Sequence, residues 1–183
     1  MDATKKSRIW AQGATDQVGH RNYLAKLLPH MKACTDSDFD LEFKTMTPSV
    51  TTVHALSEFR FSRAVVRAAI QAEQEGYDVF FMNHFQDVGL YDARAAVKIP
   101  VLGLGEATLL HACMMGRKLG LIAIHPAFIP IHNEQIYRYG LQQRIAGIRT
   151  MDANISDYMD AFYVRLGPLL TLVDKFSKVT KFL

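Results

Sequence analysis

The sequence predicts an α/β protein built on parallel strands. Short apolar runs that end in polar or glycine-containing turns alternate along the chain with segments whose apolar residues recur at helical spacing. This alternation is typical of β-α-β units with right-handed crossovers, and so of doubly wound parallel sheets flanked by helices. Because the two halves resemble one another as β-loop-α series, we expect two lobes, over residues 1–100 and 101–183.

The first lobe is expected to begin with two strands separated by a helix. The apolar run Arg8–Ala11 predicts the first strand, and a turn-prone segment follows it. Helical spacing predicts a helix over Asn22–Lys32, which Pro29 is expected to bend or end. Alternating apolar residues then predict the second strand, Leu41–Thr45.

Three further elements complete the first lobe. Residues Ser57–Glu75 form the clearest helical pattern, and Gly76 is well placed to end that helix. The run Val79–Met82 predicts a buried third strand, and Leu90–Ala96 predicts a short helix. Asp87 precedes this short helix, and we expect its side chain to cap it.

The second lobe is expected to repeat the alternation. Its strands are short apolar runs, and its helices carry apolar residues three and four positions apart. We assign three strands, to Val101–Leu104, Leu119–Ile124 and Gly147–Met151. We assign three helical segments, to Glu106–Arg117, Ile129–Gly140 and the apolar stripe between Ile155 and Val179.

The composition excludes several classes of protein. Hydrophobic residues make up 49% of the chain and charged residues 21%, which argues against disorder. The formal charge of +3 comes without a basic block or a nucleic-acid-reading motif, so no nucleic-acid partner is expected. No apolar run is long enough to span a bilayer, and the N-terminus lacks the apolar core of a secretory signal. We therefore expect a cytoplasmic protein with no membrane partner.

Neither a metal site nor a catalytic thiol is indicated. Cys34 and Cys113 have no ligand-spaced partners, and Cys113 is interpreted as a small core residue of a helix. The histidines His54, His111 and His132 also lack the spacing of metal ligands.

Ligand-binding residues are expected at the carboxyl ends of the strands, where open parallel sheets bind small molecules. His84 follows the third strand, and imidazole can act as an acid or a base near neutral pH. The alternative is a loop histidine that only hydrogen-bonds its neighbours. We take His84 as the candidate catalytic residue.

The candidate substrate-binding residues share this location at strand ends. Each offers a polar side chain, a ring or a backbone N–H, and for each the alternative is a structural role in a turn or a solvated loop. The glycine-rich segment after the fourth strand lacks the third glycine of GxGxxG, so we expect its N–H groups to meet a small ligand. The candidates are Gln12, Thr15, Thr47, Asn83, Phe85, Gly105, Glu106, Ala107, Thr108 and His125.

The same residues resemble the aspartate/glutamate/hydantoin racemase superfamily, most closely its hydantoin racemase branch. The resemblance is carried by the segments RIWAQGATD, HFQDVGL, IPVLGLGEAT and GLIAIHPAFIP. It implies an active site in the cleft between two α/β lobes. It also implies a cofactor-free racemase of hydantoins or amino acids, with one acid/base group on each face of the substrate, and a homo-oligomer.

The chain lacks cysteines at the two positions where the racemase pattern has catalytic thiols. The resemblance implies a cysteine where this chain has His84 and a second cysteine after a late strand, and neither Cys34 nor Cys113 stands at those places. No second acid/base group is identified, His125 being a weak candidate. Two alternatives therefore stay open: a single-base decarboxylase or isomerase of the same superfamily, and a small-ligand-binding protein without catalysis.

Overall fold

A computed structural model describes residues 6–14, 21–46 and 55–150 of the chain. Within them, a four-stranded parallel sheet has the strand order β2-β1-β3-β4, and a second sheet pairs β5 with β6 in parallel. The strands of the first sheet are β1 Ser7–Gly13, β2 Phe39–Lys44, β3 Val79–Asn83 and β4 Val101–Gly103. Those of the second are β5 Leu119–Ala123 and β6 Ile145–Thr150. The predicted α/β class with parallel sheets is confirmed.

Helices connect successive strands in the way that parallel pairing requires. They are α1 Arg21–Cys34, α2 Ala55–Gln74, α3 Leu90–Ala96, α4 Leu104–Met115 and α5 Ile129–Arg138. Helix α1 continues past Pro29 to Cys34, so of the two expected effects of this proline, ending the helix is excluded and a bend stays a prediction. The expected helix after residue 151 lies outside the described residues, as do Thr15 and Thr47.

The first core lies between α2 and the four-stranded sheet. Phe61, Val65 and Ala69 recur at helical spacing along α2 and are fully buried. They pack with Phe80 and Met82, which lie on the same face of β3 because strand side chains alternate. This packing fixes the carboxyl end of β3 beside the first turns of α2.

A smaller core belongs to the second sheet. It contains Leu109 of α4, Leu121 of β5 and Ile136 of α5, with Leu141 beyond the helix. Strand β4 pairs with β3, so it belongs to the first sheet although we expected it to open the second lobe. The second sheet begins with β5, and the lobe boundary near residue 100 stays a prediction. None of the described helices is long and apolar enough to cross a membrane.

Candidate active site

The carboxyl end of β3 places His84 against the first turn of α2. Nε2 of His84 lies 3.8 Å from Oε2 of Glu58, and the imidazole centroid is 4.5 Å from that of the Phe61 ring. Both side chains are largely buried, with 15% of His84 and 6% of Glu58 exposed. The structure thus brings an imidazole and a carboxyl group together at a strand end, where the sequence predicts a site.

Burial shifts the protonation of this pair in opposite directions. Burial, with a smaller contribution from the charge of nearby His132, lowers the pKa of His84 to about 3. Burial also raises the pKa of Glu58 to about 7. A buried site disfavours the charged form of each group, which is the imidazolium for histidine and the carboxylate for glutamic acid. At neutral pH the imidazole is therefore neutral, and Glu58 is poised between its two forms.

Two polar atoms of the pair have no hydrogen-bond partner among the described residues: Oε2 of Glu58 and Nδ1 of His84. Buried polar groups are nearly always paired, and an unpaired one costs about 1–3 kcal/mol. Such groups occur where strain is stored, where catalysis takes place, or where an ordered water or ion binds. Among the described residues, Nδ1 of His84 therefore makes none of the hydrogen bonds expected of a structural loop histidine.

Asp87 anchors the loop that carries His84. Its Oδ1 accepts a hydrogen bond from the Gly105 N–H at 3.0 Å. Its Oδ2 accepts from the Glu106 N–H at 2.5 Å and from the Tyr139 hydroxyl at 2.8 Å. The residue is 1% exposed and has a φ of 50°, a left-handed conformation that aspartate tolerates better than most residues. Burial raises the pKa of Asp87, and these hydrogen bonds oppose the shift.

The expectation that Asp87 caps α3 is therefore wrong. The N-cap of α3 is Gly89, which makes no side-chain capping bond. The carboxylate of Asp87 instead reaches across to the start of α4, where two free N–H groups and the helix dipole favour a negative charge.

The segment after β4 has structural partners, and its expected contact with a ligand stays a prediction. The N–H groups of Gly105 and Glu106, which we expected to meet a ligand, are already bound to Asp87. The Glu106 carboxylate pairs with both terminal nitrogens of Arg94, at 3.1 and 2.5 Å. Ala107 and Thr108 are exposed on α4, and the Thr108 hydroxyl donates to the Leu104 carbonyl. In the structure, the Gly105 and Glu106 N–H groups thus hold the Asp87 carboxylate of the His84 loop.

The other predicted residues occupy varied positions. Gln12 is buried, and its amide accepts from the Trp10 indole and donates to the Gly13 carbonyl, both at 2.9 Å. Asn83 ends β3 opposite Gly13, immediately before His84. His125 precedes a short 3₁₀ turn, and its Nδ1 accepts from the Ala127 N–H at 3.1 Å. Of these, Asn83 is directly adjacent to His84 in the chain, whereas Gln12 and His125 have local structural partners.

Phe85 links the first sheet to α5. Its carbonyl accepts a 2.7 Å hydrogen bond from Nε2 of Gln135, and its ring meets that of His132 edge to face at 5.6 Å. Nδ1 of His132 lies 2.9 Å from Oε1 of Gln135. His132 is 3% exposed, and burial lowers its pKa.

The sequence analysis missed Glu58, His132, Gln135 and Tyr139. Glu58 lies on the apolar side of α2, three residues before Phe61 and seven before Val65, so its burial could have been inferred from the helical pattern. His132 and Gln135 lie three residues apart on α5, and Tyr139, four residues further on, directly follows the helix. A polar residue on an apolar helix face was the available signal.

The structure places neither thiol at the end of β3. Cys34 is exposed in the last turn of α1, and Cys113 packs from α4 against the second core, as expected of a small core residue. Within the described ranges, no group of histidine, cysteine and acidic residues is arranged to hold a metal ion.

Fold and site together define an α/β protein of parallel sheets, with buried acid/base side chains gathered at a strand end. A family model described as Asp/Glu/hydantoin racemase matches residues 27–162 of this chain. The chain belongs to the Asp/Glu/hydantoin racemase family.

Curated relatives support this assignment over part of their length. A hydantoin racemase of Pseudomonas sp. (strain NS671) is 28% identical over 94 residues, which cover 51% of this chain and 38% of the relative. A hydantoin racemase of Rhizobium meliloti is 30% identical over 82 residues, which cover 45% of this chain and 34% of the relative. The matched region thus spans little more than a third of each relative.

Solved structures share the fold. Allantoin racemase from Klebsiella pneumoniae superposes with a TM-score of 0.83 at 16% identity, over 96% of this chain and 70% of that chain. Glutamate racemase from Aquifex pyrophilus superposes with a TM-score of 0.53 at 14% identity, over 86% of this chain and 65% of that chain. These are two-lobed racemases with parallel sheets flanked by helices, which is the fold class that the sequence predicts.

Proposed function

We propose that this chain is a cofactor-independent enzyme that removes the proton α to a carbonyl group of a small substrate, a hydantoin or an α-amino acid. His84 takes the proton, and Glu58 assists it. Family membership and the hydantoin racemases among the relatives support the reaction class. The observation that carries the proposal is the buried His84–Glu58 pair at the end of β3, with Nδ1 of His84 unpartnered among the described residues.

The geometry suits a neutral imidazole acting as the base. Glu58 faces Nε2, so a proton on Nε2 leaves the lone pair on Nδ1, where no other described group meets it. When Nδ1 accepts the substrate proton, the ring becomes an imidazolium. The adjacent Glu58 carboxylate then stabilises this cation, as a carboxylate does when it backs a catalytic histidine.

This chemistry differs from the two-thiol mechanism that the resemblance implies. A thiol must lose its proton before it can accept one, whereas a neutral imidazole is already a base at neutral pH. The low pKa of His84 has a cost, since a weaker base needs more help from the substrate carbonyl. A carbonyl that spreads the developing charge onto oxygen supplies such help.

The alternative is a reaction on one face of the substrate, catalysed by a decarboxylase or an isomerase. One observation favours it: of the two histidines predicted at strand ends, His125 uses Nδ1 to cap a turn, which leaves His84 as the candidate proton carrier. Retention of optical rotation during proton exchange distinguishes this alternative from racemisation.

The proposal is tested by proton–deuterium exchange in D₂O, followed by NMR with optical rotation in parallel. Single enantiomers of 5-substituted hydantoins and α-amino acids serve as substrates. We expect exchange by the unaltered protein, a loss of about 100-fold or more in His84→Asn, and a smaller loss in Glu58→Gln. The control is His111→Asn, which changes an exposed histidine of α4 and should keep the full rate.

The result that overturns the proposal is an unchanged exchange rate in His84→Asn. Absence of exchange by the unaltered protein, combined with protection against thermal unfolding by the same compounds, would instead identify a binding protein without catalysis. Absence of both exchange and protection would exclude these compound classes.

A further inference from the structure

The end of α5 contacts the loop that carries His84 through two side chains, and the function proposed above assigns a role to neither. Nε2 of Gln135 donates to the Phe85 carbonyl at 2.7 Å, and the Tyr139 hydroxyl donates to Oδ2 of Asp87 at 2.8 Å. Gln135 lies within α5, and Tyr139 directly follows it. The loop is thus held at the first and third residues after His84 by a helix that follows β5 of the second sheet.

A tight turn connects these two contacts to the backbone of His84. The Asp87 N–H donates to the His84 carbonyl at 3.1 Å, which closes a turn with Phe85 and Gln86 at its centre. The Asp87 carboxylate in turn accepts from the Gly105 N–H at 3.0 Å. A displacement of Phe85 or Asp87 therefore moves His84 as well, because the hydrogen-bonded turn joins all three.

The groups that make these contacts are largely shielded from solvent. Gln135 is 3% exposed and Asp87 is 1% exposed. The orientation of the Gln135 amide is fixed, because Nε2 faces the Phe85 carbonyl and Oε1 lies 2.9 Å from Nδ1 of His132. Burial and the adjacent Asp87 carboxylate raise the pKa of Tyr139, so its hydroxyl keeps the proton that it donates. Loss of either donor would leave a buried acceptor with fewer hydrogen bonds, which is costly.

The position of His84 matters because its contact with Glu58 lies just beyond hydrogen-bond range. Nε2 and Oε2 are 3.8 Å apart, whereas N–H···O hydrogen bonds span about 2.7–3.2 Å. Glu58 belongs to α2, which packs on the first sheet, so this separation changes when the loop moves and α2 does not. A displacement of about 1 Å at a catalytic group can lower the rate about 100-fold.

We propose that Gln135 and Tyr139 are positioning residues, which hold the turn after β3 so that His84 faces Glu58. The inference rests on the proposed function and adds to it a requirement for α5. The two residues act through the Phe85 carbonyl and the Asp87 carboxylate. The chemistry at a strand end of the first sheet therefore depends on a helix that follows a strand of the second.

Tyr139→Phe and Gln135→Met test the proposal, with Tyr137→Phe as the matched control. Phenylalanine keeps the ring of Tyr139 without its hydroxyl, and methionine keeps the length of Gln135 without a donor. Tyr137 lies on α5 and is 76% exposed. In D₂O with 5-benzylhydantoin, we expect kcat for proton exchange to fall about 10-fold in the first two variants, with KM within about twofold. Tyr137→Phe should keep the full kcat.

The pKa of Glu58 in the ligand-free protein is a second readout, which ¹³C NMR of labelled glutamate side chains follows. It is about 7 because the carboxyl group is buried. If Gln135 and Tyr139 hold His84 against Glu58, this pKa should fall toward the ordinary value of 4.5 in both variants, since a displaced loop admits water. Residues that only stabilise the fold would leave the pKa of Glu58 unchanged in the folded protein.

A Glu58 pKa that keeps its unaltered value in both variants overturns the proposal, and so does an unchanged kcat, even where urea unfolding shows a loss of stability. If one variant does not fold, the other decides. Failure of the unaltered protein to exchange any proton would remove the proposed function. The titration of Glu58 would then decide alone, because a lowered pKa supports the positioning of His84 by α5 and an unchanged pKa excludes it.

Discussion

At the scale of the residue, the site depends on two ionisable groups whose burial works against their charged forms. Glu58 is an acid with a pKa near neutrality, and His84 is a base kept neutral by the same surroundings. Groups with pKa values displaced in this way are typical of catalytic sites. Such sites keep them for their chemistry although they lower the stability of the fold. Their contributions to folding therefore depend on pH in a predictable way.

Glu58→Gln should make the protein more stable at alkaline pH while making it less active. The folded pKa of Glu58, about 7, lies above the ordinary value of 4.5, so the native state binds more protons than the unfolded state between these values. The stability contributed by Glu58 is complete below pH 4.5 and is lost as pH rises through 7. The loss is about 3 kcal/mol when complete, because one pKa unit corresponds to about 1.4 kcal/mol.

Urea unfolding of both proteins at pH 5 and pH 8 checks this prediction. The advantage of Glu58→Gln should be larger at pH 8 than at pH 5 by roughly that 3 kcal/mol. His84 is present in both proteins, so its own pH dependence cancels in the difference. An equal advantage at both pH values would contradict the pKa assigned to Glu58.

At the scale of the element, the loop after β3 and the first turn of α4 are packed too closely to admit a side chain at Gly105. A Cβ there would collide with the Phe85 carbonyl and would lie 2.7 Å from both Oδ2 of Asp87 and Nε2 of Gln135. The glycine is required for this close approach. The loop that carries His84 is thus held directly against backbone.

Gly105→Ala should destabilise the protein by about 2 kcal/mol or more, although alanine normally stabilises a helix by up to about 1 kcal/mol relative to glycine. The change of sign follows from the collision with Phe85 and Asp87. Gly147→Ala is the matched control, since a Cβ at that position in β6 would meet nothing within 4 Å. Urea midpoints that fall for Gly105→Ala and stay constant for Gly147→Ala would agree with the structure. A stabilised Gly105→Ala protein would contradict it.

At the scale of the whole molecule, the candidate chemistry uses no thiol. The chain contains only Cys34 and Cys113, one exposed at the end of α1 and the other packed against the second core. The double variant Cys34→Ser, Cys113→Ala should therefore keep the exchange rate within about twofold of the unaltered protein. Iodoacetamide, which alkylates thiols, should not inactivate the unaltered protein. A loss of proton exchange in the cysteine-free variant would contradict this prediction and would indicate that a thiol takes part in the reaction.

Most of the fold could be predicted from the sequence because its signals are local. The apolar runs at Val79 and Val101 and the helical pattern between Ser57 and Glu75 depend on near neighbours in the chain, and all three elements are present. The sheet to which β4 belongs could not be predicted in this way. Strand β4 pairs with β3, which lies about twenty residues earlier in the chain. The composition of β4 alone does not indicate this partner.

The candidate site was predictable only in part. The position of His84 follows from a strand end, which is a local feature. Its relation to Glu58 depends on how α2 crosses the sheet, and the binding of Asp87 to α4 depends on a left-handed turn that the residue type permits but does not require. A carboxylate before a helix predicts a cap, but it does not determine which helix is capped.

The hydrogen bond between Asp87 and Tyr139 joins the loop that carries His84 to the residue that follows α5. The backbone pairing of the first sheet does not depend on this bond, because β3 pairs with β1 and β4. Local opening at the end of α5 can therefore release the His84 loop while the first sheet stays intact. The arrangement of the candidate site thus depends on a helix that lies outside the sheet carrying His84.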